Sequence, residues 1–178
     1  MGTWERHADA RGAGQNRHDP ARTVMKLGIT GSRTNTAFDF TPVFTRQVEP
    51  FNAFLGRRRI SSIITGGARG IDRQAQKYAE RLNIPCRVIR PDYDKYHRSA
   101  PLKRNLQIIA ESDAILVVWD GEPNSRGTIY TALHALEAGK RVFVIFAVGE
   151  AIIECFGEIH DDSCFVVNMD SAFNSKPL

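Results

Sequence analysis

The chain has little of what membrane, secreted or metal-bound proteins rely on. Its three cysteines, Cys86, Cys155 and Cys164, are odd in number, form no CxxC pair and show no metal-ligand spacing. They read as thiols in a reducing cytoplasm. The longest unbroken apolar run, Val142–Val148, has seven residues, against roughly 20 for a helix that crosses a bilayer. No apolar signal core is found near the N-terminus, which argues against export. Neither sign of charge dominates: 24 Lys+Arg against 20 Asp+Glu leaves a net charge of +4. With a pI near 9.1, this balance suits a phosphate-bearing ligand and disfavours a nucleic-acid binder, which concentrates its charge. The one tight basic run, Arg57-Arg58-Arg59, reads as a solvated turn between a helix and a strand. There is no internal repeat.

What remains is the composition of an ordinary folded domain. The 178 residues are 42% hydrophobic and 25% charged, with a mean hydropathy of -0.30, enough for one domain with its own core. Residues 1–24 stand apart. They hold almost no large apolar residues and no period of two or 3.6, so they cannot offset their ordering entropy. We expect a flexible extension there, with Met25 as a candidate natural start and residues 25–178 as the folded domain.

From Met25 the pattern alternates. Lys26–Thr30, Ile60–Thr65, Cys86–Ile89, Asp113–Trp119 and Arg141–Val148 read as strands. Between them, Asp39–Leu55 carries apolar residues at helical spacing, with Pro50 expected to kink or split it. Ile71–Leu82, Pro101–Glu111 and Gly127–Ala138 read as helices, the last closed by Gly139. Beyond Val148 the spacing suggests a helix near Glu150–Phe156 and a last strand at Cys164–Val167. Continuous apolar strands separated by crossover helices predict an α/β fold: a doubly wound, mainly parallel, Rossmann-like sheet in a single domain.

In such sheets ligands bind beyond the carboxyl ends of the strands, where strand order reverses. Three strand-to-helix loops carry residues suited to phosphate. In Gly28-Ile-Thr-Gly-Ser-Arg33, Gly31 allows a tight turn, Ser32 offers a hydroxyl and Arg33 a guanidinium fork. Thr65-Gly-Gly-Ala-Arg-Gly-Ile-Asp72 places Gly66, Gly67 and Ala68 before a helix, where backbone N–H groups are free. It is neither a Walker loop nor a GxGxxG fingerprint. In Asp120-Gly-Glu-Pro-Asn-Ser-Arg-Gly-Thr128, Gly127 and Thr128 open the next helix. Any one loop is as often tight packing as a ligand contact; three on one sheet edge are harder to dismiss. Replacing Gly67 with valine is expected to block the phosphate cradle and leave the fold intact.

Several residues carry two readings. Asp72 suits the dipole of its own helix as well as a ribose or base contact. Arg104 and Asn105 lie on a solvated helix face or reach the same edge. The loop Asp92-Tyr-Asp-Lys-Tyr-His97 can cover a base, whereas its mixed ligand types argue against a metal. Trp119 reads as core packing with its ring near the rim, and His134 as an ordinary helix histidine.

Together GSR, ITGGARGID, LKRN, AILVVWDG and RGT, in that order, resemble the SLOG superfamily. That group takes in the DNA-processing protein A (DprA, Smf) family, the LOG phosphoribohydrolases and small YspA/YpsA-like proteins of bacteria and phages. The YspA-like branch is nearest in motif order, over about Met25–Val148. The resemblance implies nucleotide-derived ligand binding: Gly31, Ser32 and Arg33 beside the ligand, Gly66, Gly67 and Ala68 cradling phosphate, Gly127 and Thr128 forming the opposite lip. LOG enzymes resemble PGGxGTxxE with an arginine in the preceding helix. Arg104 matches that arginine, but Thr131 stands where the glutamate is expected, and a threonine cannot supply the negative charge that glycosyl cleavage uses. Asp92, Asp94 or Asp120 are the candidates to replace it.

The expectation is therefore a cytoplasmic nucleotide-ligand binder, a sensor or sequestering protein, with no separate cofactor. A LOG-like nucleotide N-glycosidase using Arg104 is the alternative, and a DprA-like single-stranded DNA module a further one. Pairing of two copies through the phenylalanine-bearing Asp39–Leu55 segment remains open.

Overall fold

The strands carry side chains to both sheet faces in turn, and here both faces need cover. The computed structural model describes residues 24–122 and 125–159. Among these, Val24–Gly31 (β1), Arg59–Thr65 (β2), Cys86–Val88 (β3), Ala114–Trp119 (β4), Arg141–Val148 (β5) and Ala151–Ile159 (β6) form one sheet. Its order is β3-β2-β1-β4-β5-β6. The pairs among β1 to β5 are all parallel, and β6 runs antiparallel to β5. The fold is thus the doubly wound, mainly parallel, Rossmann-like α/β sheet that the pattern predicts.

β4 is buried at every position. Ala114, Leu116 and Val118 face one core and Ile115, Val117 and Trp119 the other. The first core is filled from Thr41–Phe44 (α1), Glu49–Leu55 (α2) and Ile71–Arg81 (α3), by Val43, Phe51, Phe54, Ile71 and Ala75. The second takes Ile108 and Ile109 from Ala100–Glu111 (α5) and Ala132 and Ala135 from Arg126–Glu137 (α6). The short Tyr93–Tyr96 helix (α4) lies between β3 and α5. No helix among the described residues is long and apolar enough to cross a membrane.

The expected split of Asp39–Leu55 is seen, though not at Pro50 itself, and the stretch after Val148 departs from its expectation. The Asp39–Leu55 segment makes two helices that part before Pro50, which instead occupies the first turn of α2. Arg46, at φ 61, turns the chain between them. Its phenylalanines Phe40, Phe51 and Phe54 are buried in the chain's own core, so that face is already occupied. The helix expected near Glu150–Phe156 is strand β6. Its exposed Ala151, Ile153 and Glu154 and half-buried Ile152 and Cys155 mimic helical spacing, because the pairing with β5 slips between Val144 and Ile145 and again between Phe146 and Ala147. Each slip interrupts the alternation that identifies a strand. The Cys164–Val167 segment and residues 1–23 lie outside the described residues.

Candidate functional site

Strand order reverses between β1 and β4, and the three loops meet there. Gly31 ends β1 so close to β4 that an added Cβ would lie 2.2 Å from the Val118 carbonyl oxygen. Ser32 follows, 1% exposed. Its hydroxyl donates to the Asp120 carboxylate and accepts from the Asp120 N–H at 3.1 Å. Thr34 donates its hydroxyl to the other Asp120 oxygen, and the Glu122 N–H donates to the first at 3.2 Å. Asp120 therefore clasps the loop after β1 to the loop after β4. The Trp119 indole N–H donates to the Glu122 carbonyl at 3.4 Å, so this buried ring steadies the same loop.

Gly70 joins the second loop to the first. At φ +84 it adopts a conformation that favours glycine, and a Cβ there would meet the Ser32 carbonyl oxygen at 2.3 Å. The Ile71 N–H donates to that carbonyl at 3.2 Å. Asp72, 5% exposed, turns back into its own loop and accepts from the Ala68 N–H at 3.2 Å. An internal carboxylate thus occupies the place that the sequence reading assigns to a phosphate at Gly66-Gly67-Ala68. Burial pushes this carboxyl up to about 6, against the pull of the Ala68 N–H and of Arg104.

Arg104 is 8% exposed. Its Nη1 donates to the Gly66 carbonyl at 2.5 Å and its Nε to Asn105 Oδ1 at 2.8 Å. Burial lowers its pKa and the Asp72 charge opposes that, while guanidinium groups stay protonated in proteins. A Cβ on Gly66 would fall 1.7 Å from Arg104 Nη1, so the glycine makes room for the guanidinium. Gly67 adopts φ +67, and a Cβ there would lie 2.6 Å from Val88 Cγ1. Valine at Gly67 is therefore expected to disturb loop and β3 together, contrary to the sequence expectation of an intact fold. Thermal melting of the Gly67→Val protein checks this: a clear fall in Tm supports the packing role, and an unchanged Tm rejects it.

The third loop ends at Ser125, the residue before α6, whose side chain caps no backbone group. Gly127 has open space where a side chain would go. Thr128 is buried, and the Asn105 amide donates to the Gly127 carbonyl at 3.5 Å. Thr131 is 0% exposed and donates its hydroxyl to the same carbonyl at 2.7 Å. It is turned away from solvent. On the outer side of α6, His134 stacks on Tyr130 with ring centroids 3.8 Å apart.

Between the loops lies a cleft of about 280 Å³. Gly31, Arg33, Ala68, Asp72, Arg104, Asn105, Gly127 and Thr128 line it. No family model, curated protein or solved structure matches the chain. The geometry alone carries the reading.

Of the residues singled out in the sequence, Ser32, Gly66 and Gly67 stand behind the wall rather than in it: one clasps Asp120, and two admit Arg104 and the loop's tight path. The sequence reading missed Thr30, Thr34, Glu122 and Ser125, which join the lining. A serine immediately before a helix is a standard start signal and marks Ser125; Thr34 had no comparable signal. Asp92 accepts from the Lys95 N–H at 3.0 Å as the cap of α4, and Asp120 is held by two hydroxyls. Among the described residues, the carboxyls that face the cleft are Asp72 and Glu122, balanced by Arg33 and Arg104.

Proposed function

We propose that this cleft binds a nucleotide or nucleotide-derived small ligand, and that the protein acts as a sensor or sequestering module of the SLOG type. The observation that carries the proposal is the α6 N-terminus. Its first turn opens into the cleft at Gly127 with no side chain in the way, Arg33 lines the same cleft, and a helix start favours an anion. Asp72, Asn105 and Arg104 supply acceptors and donors deeper in, suited to ribose hydroxyls. Two cations against two carboxyls suit a ligand of few charges. The free thiols of Cys86 and Cys155 are in keeping with the cytoplasmic setting that this reading assumes.

The N-glycosidase reading retains one observation in its favour. Asp72 is a buried carboxyl that titrates near 6 beside a cleft, as general acids do. It is a better candidate acid than Asp92 or Asp120, which are engaged elsewhere.

Incubating the full chain with nucleoside monophosphates, ADP-ribose and cyclic dinucleotides, then measuring thermal shift and chromatographing the mixtures, tests both. A shift with the ligand recovered whole supports binding, and release of free base supports hydrolysis. No shift and no base with any of them overturns the proposal. Arg33→Ala is expected to weaken binding by about 1.5–3 kcal/mol, the range for a hydrogen bond to a charged group. Unchanged affinity on titration removes Arg33 from the site.

A further inference from the structure

Asp72 brings a carboxyl into a cleft that otherwise suits an anion, and the fold gives its charge little direct support. It is 5% exposed and lines the cleft. It accepts the Ala68 N–H of its own loop at 3.2 Å, and the Thr65 hydroxyl faces it from the end of β2. Arg104 approaches from α5, but its Nη1 is committed to the Gly66 carbonyl and its Nε to Asn105. The place that a Cβ on Gly66 would take lies 1.7 Å from Arg104 Nη1 and 2.9 Å from Asp72 Oδ2. The two charges are therefore neighbours across the glycine, yet among the described residues Asp72 makes no ion pair.

Among the described residues, the other charges of the lining are Arg33, from the loop after β1, and Glu122, from the loop after β4. With Asp72 ionised, two carboxylates offset two guanidiniums. With Asp72 protonated, the guanidiniums exceed the carboxylates by one beside the open start of α6, and they keep their charge at any ordinary pH. Burial makes the protonated form accessible, because it pushes this carboxyl from 3.8 up to about 6. An anion seated at α6 pushes in the same direction twice: it brings a like charge near the carboxyl and covers its last exposure. Proton and anion therefore favour each other's binding, and the coupling is reciprocal.

Resting on the reading of the cleft as a nucleotide site, we propose that ligand binding there is coupled to protonation of Asp72, so that the protein takes up its anionic ligand in acid and lets it go as pH rises. The carboxyl that fills the glycine loop then also regulates the site. Affinity is greatest where Asp72 already carries its proton, and it declines once pH passes the carboxyl's own value of about 6.

The test titrates the full chain and its Asp72→Asn and Glu122→Gln variants at pH 5 and pH 8 with AMP, adenosine 5′-sulfate, ADP-ribose and cyclic di-AMP. Asparagine keeps the shape and an acceptor for the Ala68 N–H but has no proton to exchange in this range. For each ligand that binds, the parent is expected to lose about tenfold more affinity between the two pH values than Asp72→Asn does. That is the linkage expected when the complex holds the proton about tenfold more tightly, and the comparison cancels protons that the ligand itself exchanges. Glu122→Gln should keep the pH dependence of the parent. Calorimetry of the parent near pH 6.5 in two buffers of different ionisation enthalpy, with any of the last three ligands, should show protons taken up on binding. Equal pH dependence in parent and Asp72→Asn overturns the role of Asp72 and leaves the cleft assignment standing. So does binding to the parent without proton uptake, a result that needs no variant to fold. If none of the four ligands binds at either pH, the cleft assignment fails and the coupling with it.

Discussion

Gly31→Ala is expected to cost the fold about 3 kcal/mol or more, with a fall in Tm of roughly 10 °C. The reason is backbone against backbone. An added Cβ would lie 2.2 Å from the Val118 carbonyl oxygen and 2.7 Å from Ile71 Cγ1. A flexible side chain could yield at such a distance, whereas a strand carbonyl and a fully buried isoleucine cannot do so cheaply. That carbonyl also accepts the Ser32 N–H at 3.1 Å, so moving it loosens the β1–β4 junction on which the cleft is built. Gly127→Ala is the control: it meets nothing within 4 Å, and alanine favours the helix by up to about 1 kcal/mol. Urea unfolding of both variants decides the matter; equal stabilities would refute the packing account.

Removing the guanidinium of Arg104 should be as damaging, and the damage should depend on pH. Arg104→Met removes the charged hydrogen bonds to Gly66 and Asn105, each worth about 1.5–3 kcal/mol, and takes away the nearby positive charge that favours the ionised form of buried Asp72. The carboxyl already sits near 6 in the fold, against 3.8 as its ordinary value. The folded protein therefore holds a proton that the unfolded chain releases, and this group's contribution to stability falls as pH rises from about 4 through 6. Without Arg104 the folded pKa rises further, so the window of loss extends upward. Unfolding at pH 5 and pH 8 should show the larger difference between parent and variant at pH 8. An equal loss at both would mean that Arg104 acts only through its hydrogen bonds to Gly66 and Asn105.

The sequence showed the sheet where burial on both faces makes strands continuous. β4 and β5 are unbroken apolar runs, and five of the six strands lie within a residue or two of their expected bounds. β6 escaped because its slipped pairing with β5 replaces alternation by a spacing near three. At the site, the three loops were legible as a group, since strand-to-helix loops at a reversal of strand order converge on one cleft. Their division of labour was not. Whether the N–H groups of a glycine loop face a ligand or an internal carboxylate depends on where Asp72 turns, and in the fold it turns back onto the Ala68 N–H of its own loop, near the charge that Arg104 brings from a helix more than thirty residues away. The same holds for Ser32, whose hydroxyl looks available until Asp120 arrives from the other side of the switch point.

Asp72 and Asp120 also act as occupants. Each sits where an incoming anion would find donors, at the Ala68 N–H and at the Ser32 and Thr34 hydroxyls. A glycine loop that welcomes a pyrophosphate elsewhere is here filled from within, so a second phosphate laid along it would meet negative charge instead of free N–H groups. If the cleft takes a nucleotide as proposed, its place for an anion is at α6, and a run of phosphates laid along the glycine loop is disfavoured by the carboxylate of Asp72, so ligands with a single phosphate are expected to bind more tightly than those with two.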